Sequence, residues 1–173
     1  MDLQGKKILM PVADGTHELE LYVPYYRLLE EGAEVVMAGP DSSDYTGKNG
    51  FIIRNVISIN GLDPTHFDGV VIPGGYGPDK IRTDKRFSDF VKVTATAGKL
   101  VAAICHAGWI LAEAGIINGI RLTSVPNIRT DLENAGAEWI DREVVVDGNI
   151  ITSRIPVDLP HFCREIVKFL KSV

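Results

Sequence analysis

A cysteine and a histidine stand side by side at the end of an apolar run. Leu100-Val101-Ala102-Ala103-Ile104 has the composition of a buried strand, and Cys105-His106 follows it directly. The next segment, Gly108-Trp109-Ile110-Leu111-Ala112-Glu113-Ala114-Gly115, is typical of a helix that ends at glycine. A cysteine at such a junction lies at the sheet edge where α/β folds bind ligands, and a helix N-terminus favours its thiolate. The pattern predicts a nucleophile elbow, with His106 as a candidate general base or acid.

The alternative interpretation is structural, because free cysteine is among the most buried residue types. Cys163 illustrates that role, since it lies on a continuous apolar stripe of the last predicted helix. His17, His66 and His161 stand in weaker contexts, and we interpret each of them as structural.

A carboxylate and a glycine pair could complete a site around Cys105. Glu20 lies in the apolar stretch Leu19–Val23, where burial would raise its pKa and let it donate a hydrogen bond to a thiolate. The alternative is an exposed helix position that shares a polar face with Glu18. Gly74-Gly75 follows the strand-like run Gly69–Ile72, and its amides could form an oxyanion hole with the amide of His106. A plain tight turn is the alternative there, and the spacing matches neither a dinucleotide fingerprint nor a P-loop, which excludes nucleotide binding.

The composition narrows the class of protein. The chain has 173 residues, 45% of them hydrophobic and 24% charged, which predicts one globular domain over residues 1–173. Its net charge of −5 argues against nucleic acid and anionic membranes as partners. No apolar run approaches membrane-spanning length, and the N-terminal residues do not have the pattern of a signal peptide. Two distant cysteines without a Cys-x-x-Cys motif argue against a disulfide framework or a cysteine zinc site and favour a reducing cytoplasm.

The chain alternates between strand and helix patterns. Lys7–Val12, Glu18–Glu31 and Glu34–Ala38 predict a β-α-β unit with parallel strands and a right-handed crossover. Residues 39–61 predict short strands or hairpins at the sheet edge. Further patterns predict helices at 84–97, at 129–134 and from about Asp158, a short strand at 122–124, and a hairpin of Val144–Val146 with Ile150–Ser153. Together they predict an α/β sandwich with a mostly parallel central sheet, in which three strand ends bring Asp14–Glu20, Pro73–Gly75 and Cys105-His106 to one edge.

The combination of two motifs resembles a known family. Val71-Ile72-Pro73-Gly74-Gly75 with Ala103-Ile104-Cys105-His106 is similar to PfpI-type intracellular cysteine peptidases and glyoxalase-like enzymes of the DJ/PfpI superfamily, which is related to class I glutamine amidotransferases. The resemblance covers nearly the whole chain and implies a flavodoxin-like three-layer fold. Its other matching segments are Glu20–Leu28, Asn134–Trp139, Val144–Asn149 and Thr152–Arg154.

The resemblance also implies roles for individual residues. It places the nucleophile at Cys105, the catalytic histidine at His106 and the glutamate that hydrogen-bonds the cysteine at Glu20. It implies oxyanion-binding amides at Gly74-Gly75 and His106. In PfpI-type oligomers a glutamate of a neighbouring subunit completes the triad, and Asp79 stands at that position with a side chain one methylene shorter.

Three positions depart from the family pattern. Many relatives have a second glutamate three residues before the position of Glu20, and this chain has His17 there. A tyrosine often follows the serine that matches Ser124, and here the residue is Val125. The Gly-Pro that commonly follows the Cys-His pair is replaced by Ala107-Gly108. These departures change the expected pocket wall but keep the central residues.

The resemblance implies a cysteine-dependent hydrolase, either a peptidase or amidase or a glyoxalase or deglycase that acts on small carbonyl compounds. It implies no metal or organic cofactor and self-association into a homodimer or a larger ring-like oligomer. The alternative is a stress-response protein that uses oxidation of Cys105 for redox sensing or acts as a chaperone. A glutamine amidotransferase subunit fits less well, because those enzymes place the histidine far from the cysteine along the chain.

Overall fold

A computed structural model describes residues 2–173 and shows alternating strands and helices. The strands are β1 (Lys7–Pro11), β2 (Glu34–Gly39), β3 (Tyr45–Thr46), β4 (Ile52–Ile53), β5 (Ile57–Ser58), β6 (Gly69–Ile72), β7 (Leu100–Ile104), β8 (Arg121–Leu122), β9 (Glu138–Trp139), β10 (Val144–Asp147) and β11 (Ile150–Ser153). The α-helices are α1 (Glu18–Glu30), α2 (Gly77–Ile81), α3 (Lys85–Thr96), α4 (Gly108–Glu113), α5 (Arg129–Asn134) and α6 (Leu159–Ser172).

Seven strands form the central sheet in the order β10-β11-β7-β6-β1-β2-β5. All neighbouring strands in it are parallel except β10 and β11, which form the predicted antiparallel hairpin. The prediction of a mostly parallel α/β sheet is therefore confirmed. Strands β6 and β7 are buried along their whole length, as expected for central parallel strands covered on both faces.

The side of the sheet to which successive strands are added reverses between β1 and β6. The crossover through α1 leads from β1 toward β2, whereas the crossover through α3 leads from β6 toward β7, on the other side. Because parallel crossovers are right-handed, these two helices cover opposite faces of the sheet. The carboxyl ends of β1 and β6 flank this switch point, and open α/β sheets generally bind ligands at such a position.

The segment between β2 and β6 contains the short strands that the sequence predicts, in two separate places. Strands β3 and β4 pair with each other as a small antiparallel hairpin, and β5 adds to the edge of the main sheet. The strand predicted at 122–124 is shorter and shifted, because β8 pairs with β9 through only two residues. The amide of Thr123 turns instead to the side-chain oxygen of Thr152.

The last helix, α6, buries the apolar stripe that the sequence predicts. Cys163 lies on that stripe and is buried. The longest helices remain too short or too polar to cross a membrane within residues 2–173.

Candidate active site

Cys105 occupies a strained turn at the carboxyl end of β7. Its φ of 63° lies in the left-handed region, which only one other non-glycine residue between residues 2 and 173 adopts. Such a conformation costs about 1–2 kcal/mol for a residue with a Cβ. The residue begins a single 3-10 turn, Cys105–Ala107, that leads into α4. The nucleophile-elbow geometry predicted from the sequence is therefore present.

Glu20 reaches the same point from the first turn of α1. It is 0% exposed, and its Oε2 accepts a 2.8 Å hydrogen bond from the amide of Gly74. A methyl group on Gly74 would lie 2.5 Å from this oxygen and 2.6 Å from the Cβ of Cys105, so only glycine fits between them. The structure thus brings Glu20, Gly74 and Cys105 together, and the interpretation of Glu20 as an exposed helix residue is wrong.

The carboxyl of Glu20 and the thiol of Cys105 influence each other's ionisation. Burial raises the pKa of Glu20 from 4.5 to about 7, although the Gly74 amide and the interaction with Cys105 oppose this. Burial, followed by the charge of Glu20, raises the pKa of Cys105 to about 12. The amide of His106, at the start of the turn, lowers the pKa of Cys105 as expected, but burial and the charge of Glu20 act more strongly in the opposite direction. The repulsion between the two negative charges is absent when Glu20 is protonated. The state in which Glu20 and Cys105 together keep one proton is therefore more stable than the state in which both are ionised.

Two backbone amides counteract this effect at the sulfur. Hydrogen bonds from the amides of Gly75 and His106 lower the pKa of Cys105. Gly75 has a φ of 79° and forms an isolated bridge with Thr16, which anchors the turn against the segment before α1. Two of the amides predicted to bind an oxyanion therefore lie close enough to the sulfur to lower its pKa, whereas the amide of Gly74 donates to Glu20.

His106 is close enough to exchange a proton with the thiol. Its Nδ1 lies 3.3 Å from the sulfur of Cys105, although neighbouring residues on a regular strand would point to opposite faces. The sharp turn at Cys105 instead brings the two neighbouring side chains to the same side. Burial and then the charge of Lys48 lower the pKa of His106, whereas Asp79 raises it. A neutral imidazole is the form that can accept the thiol proton.

Asp79 lies at the rim of the site rather than against the histidine. It belongs to α2, its side chain is 62% exposed, and its nearest cation is Arg82 at 3.9 Å. Within residues 2–173 the His106 ring has no carboxylate at hydrogen-bond distance, and its close neighbour is the ring of Trp109 at 5.1 Å. The site within one chain is therefore a cysteine, a histidine and a glutamate without a carboxylate partner for the histidine.

Two further residues lie near the site, His17, which the sequence places in an altered pocket wall, and Lys48, which was not expected there. The amide of His17 donates to the carbonyl of Gly74 at 3.0 Å, and its buried Nδ1 has no hydrogen-bond partner among the described residues. Lys48, in the turn between β3 and β4, places its ammonium 5.3 Å from the ring centre of Tyr76. The replacement of glutamate by histidine at position 17 was a usable signal, but nothing in the pattern around Lys48 indicated its position. His66 and His161 are exposed and lie on a 3-10 turn and on α6.

Comparison with known proteins supports one family across the chain. A family model described as "DJ-1/PfpI family" matches residues 6–169. A protein named deglycase PfpI, from Pyrococcus furiosus, is 44% identical over 165 residues, which cover 95% of this chain and 99% of that protein. A deglycase from Pyrococcus horikoshii is 42% identical with the same coverage. The crystal structure of Drosophila melanogaster DJ-1beta superimposes with a TM-score of 0.90 at 31% identity, covering 97% of this chain and 91% of that one.

Proposed function

Because this chain belongs to the DJ-1/PfpI family, we propose that it is a cysteine-dependent deglycase. Such an enzyme removes the adduct that a small dicarbonyl compound leaves on an amine or a thiol. The observation that carries the proposal is the surroundings of the Cys105 sulfur, with a buried carboxyl, an imidazole 3.3 Å away and two amide donors. Its relatives named deglycases are similar over nearly their whole length.

The reaction begins with proton transfer from the thiol. The Cys105 proton passes to His106, and a protonated Glu20 stabilises the resulting thiolate by a hydrogen bond. With a methylglyoxal adduct of an amine, the sulfur attacks the aldehyde-derived carbon, the C–N bond breaks, and the amine leaves with a proton from His106. The product on the enzyme is a hemithioacetal.

The second half converts the hemithioacetal into an acid. The carboxylate form of Glu20 carries a proton from the carbon bonded to sulfur to the neighbouring carbonyl carbon, and the hydroxyl proton passes to the former carbonyl oxygen, which gives a thioester without any external oxidant. Water then attacks the thioester, the C–S bond breaks, and a 2-hydroxy acid leaves while Cys105 regains its proton. In this proposal the amides of Gly75 and His106, which lie beside the sulfur, stabilise the oxyanion of this hydrolysis. The residues at the site supply nucleophile, proton transfer and oxyanion stabilisation, so this proposed route needs no cofactor.

Hydrolysis of a peptide or amide would use the same groups through an acyl-enzyme. The second candidate function is redox sensing, in which peroxide oxidises Cys105 to a sulfinic acid. The contact of Cys105 with the buried Glu20 favours it, because a carboxyl with a pKa of about 7 can donate a hydrogen bond to a sulfinate.

We also propose that the protein self-associates, at least as a homodimer, in the cytoplasm. Both cysteines are free thiols, which is typical of proteins in a reducing compartment. Helix α1 and the β3–β4 hairpin expose a group of large apolar side chains that a second copy could cover: Leu19, Val23, Tyr26 and Phe51. In the same proposal, Asp79 of a neighbouring copy supplies the carboxylate that His106 lacks within one chain.

A substrate panel tests the function. Wild-type protein, Cys105→Ala and Cys163→Ala are compared on a methylglyoxal-treated amine, on free methylglyoxal and on peptide amides. We expect release of the amine and a 2-hydroxy acid by wild type and Cys163→Ala, and none by Cys105→Ala. Turnover by Cys105→Ala at the wild-type rate refutes the proposal. Selective oxidation of Cys105 by mild peroxide, without turnover of any substrate, favours redox sensing.

A further inference from the structure

The turn between β3 and β4 is fastened to the start of α1. The amide of Lys48 donates a 2.9 Å hydrogen bond to the carbonyl of Thr16. The next residue, Asn49, donates from its amide and its side chain to the carboxylate of Glu18, at 2.7 and 2.6 Å. Burial tends to raise the pKa of Glu18, but these donors hold it below its ordinary value, so the anchor is charged at neutral pH. The position of Lys48 is therefore fixed by these three hydrogen bonds of its own turn, and the amide of Phe51 donates a fourth, also to Glu18.

The ammonium of Lys48 lies over the ring of Tyr76, which is a neighbour of His106. It is 5.3 Å from the ring centre of Tyr76, and that ring lies 6.4 Å from the ring of His106. Tyr76 directly follows Gly75, one of the amide donors to the Cys105 sulfur. Between residues 2 and 173, no carboxylate lies within 4.0 Å of this ammonium, unlike those of Lys7 and Lys171, which are ion-paired.

The charge of Lys48 affects the pKa values of three groups around Cys105. Burial lowers the pKa of His106 and of His17, and Lys48 is the second cause in each case. It also opposes the rise in the pKa of Glu20 that burial produces. A positive charge without a partner therefore acts on the groups that surround the sulfur, although the whole chain carries a net charge of −5.

We propose that Lys48 binds a carboxylate of the substrate, so that Cys105 acts preferentially on 2-oxoaldehydes, or their adducts, that carry a carboxylate elsewhere in the molecule. 4,5-Dioxopentanoate is such an aldehyde, and the ketone beside its aldehyde lets the hemithioacetal isomerise to a thioester and leave as a 2-hydroxy acid. An exposed ammonium without an ion-pair partner, two ring contacts away from His106, can attract an anionic group of a molecule whose aldehyde reacts at Cys105. This inference rests on the proposed function only in naming the substrate class, because the anion site itself can be measured without turnover.

The first experiment measures the charge preference at Cys105 directly. Iodoacetate and iodoacetamide differ in charge but react with thiolates in the same way, so the ratio of their alkylation rates at Cys105 is independent of thiol reactivity. Mass spectrometry of the peptide that contains Cys105 gives both rates. We expect Lys48→Gln to lower the iodoacetate-to-iodoacetamide ratio by about fivefold. Lys48→Arg should keep the ratio, and so should Lys92→Gln, a control at an exposed lysine of α3.

The second experiment compares turnover of 4,5-dioxopentanoate with that of methylglyoxal, which lacks the carboxylate. We expect Lys48→Gln to lower the ratio of kcat/KM for 4,5-dioxopentanoate to kcat/KM for methylglyoxal about fivefold, because its effects on His106 and Glu20 act on both substrates alike. An unchanged alkylation ratio in Lys48→Gln overturns the anion site. A changed ratio in a protein that turns over neither aldehyde supports the anion site and refutes the proposed function.

Discussion

Replacement of Glu20 by glutamine tests the proposed ionisation of the site through stability. The carboxyl is 0% exposed, and burial raises its pKa from 4.5 to about 7. Because the folded protein holds this proton more tightly than the unfolded chain, the stabilisation is complete below about pH 4.5 and is lost as the pH rises through about 7. At about 1.4 kcal/mol for each unit of pKa, the folded state loses about 3 kcal/mol across this range.

Glutamine keeps an oxygen that can accept the Gly74 amide but carries no charge at any pH. The unfolding free energy of Glu20→Gln, relative to wild type, should therefore increase by about 3 kcal/mol between pH 4.5 and pH 8. Urea unfolding at half-unit pH intervals measures both curves, and Glu113→Gln, at an exposed position of α4, is the control. The same variant should lose turnover by about 100-fold or more, because the amide cannot transfer a proton.

The comparison removes the contribution of other acids. Carboxyls such as Asp84, whose pKa is lowered mainly by hydrogen bonding to Arg86, stabilise the protein above their ordinary pKa and give a slope of opposite sign at acid pH. Those groups are the same in wild type and in Glu20→Gln, so the difference between the curves isolates Glu20. Parallel curves for the two proteins from pH 4.5 to pH 8 would refute the argument that Glu20 is buried with a raised pKa.

Two further predictions follow from the backbone and the charges of the site. Cys105→Gly should be about 1 kcal/mol more stable than Cys105→Ala in urea unfolding, because only glycine adopts a φ of 63° without strain, and equal stability would contradict the strained turn. Asp79→Asn should lower the pKa of His106 further below its ordinary value of 6.5, because it removes the charge that raises it, whereas Lys48→Gln should raise that pKa. NMR titration of the histidine ring protons, assigned with His106→Gln, measures both shifts, and a pKa unaffected by either substitution would contradict the geometry of the rim.

The elements that position the nucleophile could be predicted from local sequence. An uninterrupted apolar run before Cys105 indicates a central strand, and a glycine-ended helix after it requires a turn at the cysteine. Glu20 was also recognisable as a candidate site residue, because a carboxylate among apolar residues of α1 needs an interior partner if it is buried. Only the structure shows that the partner is the amide of Gly74, 54 residues away along the chain.

The ionisation of Cys105 and the position of Lys48 could not be predicted in this way. The thiol pKa depends on burial and on a carboxylate from another element, and both outweigh the local effect of a helix start. Lys48 lies in a turn without hydrophobic periodicity, and its place over the ring of Tyr76 follows from hydrogen bonds to Thr16 and from the Glu18–Asn49 contact. These are tertiary contacts between segments about 30 residues apart, which spacing along the chain does not encode.

The central claim is that the sulfur of Cys105 forms a covalent bond with the substrate. Acid quenching during turnover of a methylglyoxal-treated amine, followed by peptide mass spectrometry, tests it most directly. We predict a 2-hydroxyacyl group on the peptide that contains Cys105, none on the peptide that contains Cys163, and no product from Cys105→Ala. Product formation by Cys105→Ala at the wild-type rate, with no acylated peptide in the wild-type protein, would contradict the account.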